Sequence, residues 1–361
     1  MLTTRFPIHS RDFDYEVTIS DDTEMLLQHF SSVEGAVFVV DKNISVLYPE
    51  LVAKLIQGRP KLDIDATEST KTLTGVGKVV EWLLDSGCNR SATIVGVGGG
   101  IIQDVVTFTA AIYYRGVNFE LVPTTLLSMA DSSIGAKCGI NFGDFKNQLG
   151  IVNAPRSVHI STAFLETLAD RDILSGYGEI LKLSITGGEA HLARLFELVE
   201  GDGLRASARY LIEQSLLVKK EIIEEDEHER DLRRILNYGH TFGHALEALT
   251  NHAIPHGLSV AWGIDVVNLI AVQRFGLDQA LRLQARSFIS RFLPFQLNEF
   301  PSATQLLDHA RRDKKMVGST LNLVVPVAAG DLKIVPTKLD DEMHKILEFY
   351  LENENIYQSA N

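Results

Sequence analysis

The chain has 361 residues, 45% hydrophobic and 22% charged. This excludes a disordered or fibrous protein and, at ~150 residues per domain, points to about two domains. Lysine plus arginine (34) against aspartate plus glutamate (47) leaves a formal charge of −13, which argues against general binding to nucleic acid or an anionic membrane, since both need a basic footprint. Cys88 and Cys138 are the only cysteines, so no disulfide framework is expected and a reducing compartment is. The polar start, MLTTRFPIHS, and the lack of a long uninterrupted apolar run predict neither a signal peptide nor a membrane span; the expected location is the cytoplasm.

In chain order, the first half alternates short β-branched runs with stretches of helical length. Strands are predicted over 36–40, 62–65, 93–97 and 119–122, and helices over 46–56, 72–84 and 101–114. Recurrence of strand, helix and strand predicts a parallel Rossmann-like sheet with helices on its faces. The pattern then changes. Leu204, Ala208, Leu211, Ser215, Val218 and Ile222 form one stripe of an amphipathic helix, and residues 259–275 are apolar on nearly every side, as in a helix buried in a bundle. The last ten residues, ENENIYQSAN, are polar and predicted to fray. The expected organisation is an α/β domain over 1–170 followed by an all-α domain over 171–361.

Residues 93–104, TIVGVGGGIIQD, read as strand, glycine turn and helix. Glycines allow a tight turn and close backbone approach, and free N–H groups at a helix start attract phosphate. The loop follows the third predicted strand and lacks GxGxxG spacing, unlike the common dinucleotide fingerprint. Pro123-Thr124-Thr125 ends the next strand, where open α/β sheets bind ligands, so the two segments together point to a nucleotide.

His240 and His244 are four residues apart in a helical pattern and share one face, and His256 follows after Ile254-Pro255. Two of these imidazoles with a carboxylate, Glu179 being favoured, would form a divalent-metal site with an open position. No glutamate follows His240, so an HExxH protease is excluded. Lys137, Lys146, Lys182, Lys219, Arg233, Lys314 and Lys315 stand among apolar or glycine neighbours. In a chain of net negative charge they suggest a pocket for a multiply anionic substrate.

GGGIIQD, VPTTLL, ADSSIGAK, GEILK, DEHERDLRRILNYGHTFGHALE and DKK occur in that order between residues 98 and 315. Together they resemble the 3-dehydroquinate synthases, within the wider sugar phosphate cyclases. The resemblance implies an NAD-binding α/β domain, a helical metal- and substrate-binding domain, one Zn²⁺ or Co²⁺ and one NAD⁺ per subunit, and a homodimer. By the same resemblance, Glu179, His240 and His256 hold the metal, His244 is an acid/base and Glu229 a second proton acceptor. NAD⁺ lies against Asp41, Asn43, Glu68, Lys71, Gly99, Gly100, Asp104, Thr124, Thr125 and Lys146. The sugar phosphate meets Asp131, Lys137, Asn147, Lys182, Lys219, Arg233, Asn237 and one of Lys314 or Lys315, with Arg115 reaching the neighbouring subunit's phosphate. The implied reaction converts 3-deoxy-arabino-heptulosonate 7-phosphate to 3-dehydroquinate and phosphate, with a hydride taken and returned by NAD⁺.

Gln103, Ala136, Cys138, Phe145 and Leu258 depart from the family pattern. These changes suit a pathway-specialised relative acting on an amino analogue or on sedoheptulose 7-phosphate. A metal-dependent alcohol dehydrogenase is the rival of another reaction class, and a non-catalytic paralogue would be expected to lose one of Glu179, His240, His256 or Lys182.

Overall fold

The computed structural model describes residues 2–143, 145–312, 316–317 and 320–358. Lys314 and Lys315 lie outside the described residues. The chain forms two compact units, Met1–Leu168 with Ile223–His228, and Ala169–Ile222 with Glu229–Asn361.

The first unit contains β1 (Thr3–Ile8), β2 (Tyr15–Ser20), α1 (Glu24–Ser32), β3 (Ala36–Asp41), α2 (Lys42–Leu47), α3 (Pro49–Ile56), β4 (Lys61–Ile64), α4 (Leu73–Asp85), β5 (Thr93–Gly98), α5 (Gly100–Ile112), β6 (Asn118–Pro123), β7 (Lys137–Phe142), β8 (Phe145–Val152) and β9 (Ser157–Ser161). Seven strands form one sheet in the order β1-β2-β9-β6-β5-β3-β4. Every pairing is parallel except β1 with β2. β3 and β5 are buried at every position, as strands covered on both faces must be, hence their continuous apolar runs. The four strands expected from sequence are β3 to β6. The single helix expected over 46–56 is instead two, α2 and α3. Pro49 is the cause: its ring disfavours helical geometry at Tyr48, which sits at φ −128°, ψ 51°.

The second unit is helical: α6 (Asp170–Gly187), most of α7 (Glu189–Glu225), α8 (His240–Leu249), α9 (His256–Phe275), α10 (Gln279–Phe292), α11 (Ala303–Ala310) and α12 (Asp341–Phe349). It also carries an antiparallel sheet of β10 (Met316–Val317), β11 (Thr320–Ala328) and β12 (Asp331–Lys338), which corrects the all-α expectation. β11 alternates over Thr320–Leu323 and is then buried at four consecutive positions, Leu323 to Pro326, as where both faces of a strand are covered. Among the described residues, α9 alone is long and apolar enough to cross a membrane, and 78% of its most apolar window is buried inside the structure. It is the central helix of a bundle, as its all-round apolarity predicts.

The carboxy-terminal segment does not fray over its described part. Tyr357 is 1% exposed, its hydroxyl donates to the Leu258 carbonyl at 3.2 Å, and Trp262 Nε1 donates to Asn355 Oδ1 at 3.0 Å. Arg282 pairs with Glu354. The polar letters of this tail anchor it to α9 and α10 instead of solvating it.

Candidate metal and cofactor sites

His240 and His256 are the first residues of α8 and α9, and Glu179 lies in the middle of α6. Glycines bring these helices into contact. A Cβ on Gly257 would lie 1.7 Å from the Ser175 carbonyl oxygen, one on Gly178 would lie 1.9 Å from that of Gly257, and one on Gly263 would lie 2.0 Å from that of Gly239. No side chain fits at such distances, so α6, α8 and α9 approach backbone to backbone. Gly239 also requires φ +77° to start α8 beside α9.

The result is a convergent cluster. Glu179 Oε1 lies 3.0 Å from His256 Nε2 and 3.6 Å from His240 Nε2. Ligand atoms of His240, His244 and His256 all fall within 4.8 Å of one another. The opposite ring nitrogens are held from behind: His240 Nδ1 donates to the Tyr238 carbonyl at 3.0 Å, and His256 Nδ1 donates to Glu247 Oε2 at 2.9 Å. An acceptor at Nδ1 fixes the proton there and leaves the Nε2 lone pair for a cation, the usual outer arrangement of a histidine metal ligand. These residues fit a divalent cation. Glu247, the last residue of the GHALE run, is the outer partner here, and its position one residue beyond Leu246 is the one sequence signal for it.

Electrostatics follow from burial. Burial pushes the Glu179 carboxyl upward, but the Lys182 ammonium, 2.7 Å from Oε2, and the His256 ring outweigh it and hold Glu179 well below the usual carboxylate range. Burial lowers His256, while its bonds to Glu179 and Glu247 raise it further, to about 10, so a cation at Nε2 takes the place of a proton. A carboxylate kept ionised between two imidazoles is a ready cation ligand. Of the other residues expected here, Lys219 and Arg233 are buried. Asn237 Nδ2 donates to the Glu229 carboxylate and, at 3.1 Å, to the Arg234 carbonyl.

The first unit places a second group at the carboxyl ends of its parallel strands. Asp41 ends β3 and accepts from Asn43 N at 2.9 Å as the cap of α2. Gly99 caps α5, and a Cβ there would lie 3.0 Å from Thr125 Cγ2, while one on Gly100 would meet nothing closer than Ser132 Oγ at 3.7 Å. Thr124 and Thr125 follow β6. Lys71 Nζ pairs with Asp104 Oδ2 at 2.5 Å, and Gly139 N donates to Asp104 Oδ1 at 3.0 Å. Burial raises the Asp104 carboxyl, against the pull of Lys71. Glu68 accepts from Asn141 Nδ2 at 2.8 Å and lies 3.6 Å from Lys146 Nζ. Asn147 N donates to Asn141 Oδ1 at 3.0 Å. An open backbone approach at Gly100, beside acidic and hydroxyl groups at strand carboxyl ends, fits a dinucleotide.

Asp131 is buried in the turn 128–132, and Lys137 opens β7 with its side chain exposed. Arg115 stands exposed in a tight turn at φ +63°, away from the cofactor group. Gln103 is buried at 5% exposure. Its Oε1 accepts from Ser132 Oγ at 2.8 Å, and its Nε2 has no hydrogen-bond partner among the described residues.

Comparison with known proteins agrees with this geometry. The family model described as 3-dehydroquinate synthase N-terminal matches residues 61–175, and that described as 3-dehydroquinate synthase C-terminal matches 176–316. A 3-dehydroquinate synthase of Alkaliphilus metalliredigens is 34% identical over 319 residues, covering 85% of this chain and 88% of that protein. The 2-epi-5-epi-valiolone synthase of Streptomyces hygroscopicus, solved with NAD⁺ and Zn²⁺ bound, is 26% identical with a TM-score of 0.85 over 96% of this chain and 99% of that one. A 2-deoxy-scyllo-inosose synthase, complexed with carbaglucose-6-phosphate, NAD⁺ and Co²⁺, shares the fold at 21% identity and a TM-score of 0.85, over 96% of this chain and 100% of that one. The chain belongs to the 3-dehydroquinate synthase family.

Proposed function

We propose that this chain is a 3-dehydroquinate synthase, eliminating phosphate from 3-deoxy-arabino-heptulosonate 7-phosphate and closing the ring to 3-dehydroquinate. The observation that carries the reading is the convergence of His240 and His256 on Glu179, with Lys182 beside it, in a chain whose family match runs from 61 to 316. Glu179, His240 and His256 would hold Zn²⁺ or Co²⁺; Asp41, Asn43, Glu68, Lys71, Gly99, Gly100, Asp104, Thr124, Thr125 and Lys146 would hold NAD⁺. When bound, the cation supplies a Lewis acid and NAD⁺ a reversible hydride acceptor, and neither is consumed.

The chain's own residues supply orientation and proton handling. His244, one helical turn from His240 with ring centroids 5.1 Å apart, takes and returns a hydroxyl proton of the substrate. Glu229, held by Asn237, is the second acceptor. Lys182, Lys137, Asp131 and Asn147 position the reacting end and its phosphate, and Lys314 or Lys315 adds charge. Arg115, exposed on its turn, would complete a neighbouring subunit's phosphate site, which makes the working form a homodimer. The cytoplasm is the expected location.

Lys219 and Arg233 favour this substrate over sedoheptulose 7-phosphate. Both are buried, and by the family resemblance they meet a substrate carboxylate, a group that sedoheptulose 7-phosphate lacks. The test is a substrate panel read by phosphate release, with metal and NAD⁺ supplied. Turnover of the heptulosonate phosphate is expected; turnover of sedoheptulose 7-phosphate alone would reassign the chain to a sister cyclase.

A further inference from the structure

A second cluster of metal-ligating side chains lies in the first unit, built from residues that no part of the proposed reaction uses. Glu120 on β6, His159 on β9 and His29 on α1 bring one ligand atom each to within 4.8 Å of one another. Parallel pairing of β6 with β9, at Leu121 and Val158, sets Glu120 and His159 on neighbouring strands, and α1 lowers His29 onto them. Glu120 Oε2 lies 2.7 Å from His29 Nε2 and 3.4 Å from His159 Nε2. The arrangement repeats that of Glu179 between His256 and His240: one carboxylate oxygen between two Nε2 atoms.

Three features set this group apart from an ordinary buried polar patch. Glu120 and His159 are 6% and 4% exposed, so the carboxylate cannot be left to water. Ser157 Oγ donates to Glu120 Oε2 at 2.7 Å and lies 2.8 Å from His159 Nε2, which fixes the carboxylate and the ring relative to each other. A cavity of about 460 Å³ opens onto the two histidines and is walled by Glu16, Asp22 and Glu24 against a single Arg5. Its acidic lining attracts cations and gives an access route from solvent.

We infer that His29, Glu120 and His159 form a second divalent-cation site, of the two-histidine, one-carboxylate type, with its open position facing the acidic cavity. Ligand distances of roughly 2.0–2.2 Å imply ligand–ligand edges of roughly 3.3–3.5 Å in a tetrahedral site. The 3.4 Å edge already has that length, and the 2.7 Å edge reaches it by a small outward shift of His29, the most exposed of the three. Nitrogen and carboxylate donors suit Zn²⁺ or Co²⁺ better than Mg²⁺ or Ca²⁺. A bound cation would tie α1 to β6 and β9 and stabilise the folded unit by mass action.

The inference does not rest on the proposed activity, and metal counting separates the two. The full chain, loaded with Zn²⁺ and freed of excess, should carry two ions. His240→Ala/His256→Ala should keep one, and its melting temperature should still rise on adding Zn²⁺. His29→Ala, at a half-exposed position, should lose the second ion but keep the first, with Glu120→Gln as the isosteric check. A Co²⁺ titration of the unaltered chain should show two visible-absorption phases, of which Glu120→Gln removes one. A folded His240→Ala/His256→Ala that carries no ion would overturn the inference. So would a second ion that survives both His29→Ala and Glu120→Gln, or a single Co²⁺ phase in the unaltered chain.

Discussion

His256 Nδ1 donates to Glu247 Oε2 at 2.9 Å, on the side of the ring away from Glu179. The bond fixes the ring's tautomer and orientation, and Glu247 is itself held by His252 Nδ1, which donates to Oε1 at 3.1 Å. Glu247→Gln should therefore weaken metal affinity by about 10–100-fold, while Glu179, His240 and His256 stay in place. Competition with a chromophoric chelator measures this. Unchanged affinity would mean that Glu247 only braces the loop after α8.

Close helix contact at glycine should be equally consequential. Gly257→Ala sets a methyl 1.7 Å from the Ser175 carbonyl, and backbone on both sides must move. A loss of about 2–4 kcal/mol in stability is expected, together with loss of metal, because α6 and α9 carry Glu179 and His256. Gly77, a half-buried helix position with nothing among the described residues within 4 Å of its Cβ position, is the control, and Gly77→Ala should be neutral or slightly stabilising. Denaturant melts of the two variants decide the matter.

Gln103 holds a buried amide whose Nε2 has no partner among the described residues, beside Gly100, Asp104 and Lys137 in one cavity. An unmet donor costs about 1–3 kcal/mol in the free protein, and a bound cofactor or substrate oxygen would meet it. Gln103→Met keeps the volume and removes the donor. It should leave stability unchanged or raised, and weaken NAD⁺ binding by about 5–20-fold. Calorimetric NAD⁺ titration with unaltered affinity would contradict this.

Acid sensitivity should trace in part to Glu120. Burial raises its carboxyl, but bonds from His159, His29 and Ser157 outweigh burial and hold it at about 2. A folded-state value below the unfolded one, about 4.3, stabilises the fold above that pH, and the stabilisation is lost as pH falls toward 2. Its full size is on the order of 3 kcal/mol. In the presence of a chelator, Glu120→Gln should flatten the stability profile between about pH 4.3 and 2; parallel profiles for the two proteins would refute the assignment.

Much of this was legible in the sequence, for identifiable reasons. β3, β5 and β6 are buried along all or nearly all of their length because both faces are covered, and such runs stand out. β1 and β2 do not: β1 is an edge strand exposed at alternate positions, and it contains Pro7, which demotes a strand pattern. The hairpin of β11 and β12 was lost inside a region whose helical periodicity dominated. The spacing of His240, His244 and His256 was readable because two share a helix face and the third follows a proline. Glu247 acts nine residues before His256 through a chain reversal with Asn251 and His252 at positive φ, which periodicity cannot reveal. The cluster of His29, Glu120 and His159 spans 130 residues and exists only through strand order, so no local motif announces it. Tyr357 shows the opposite error: a polar tail buries its one large ring.

The central claim is that phosphate leaves while the cofactor's oxidation state is unchanged at the end of each turnover. Following phosphate and reduced-nicotinamide absorbance together, with metal-loaded protein, catalytic NAD⁺ and the heptulosonate phosphate, tests it directly. Many equivalents of phosphate per NAD⁺ with no net NADH is the predicted result. Net NADH without phosphate, the behaviour of a metal-dependent alcohol dehydrogenase, would contradict it.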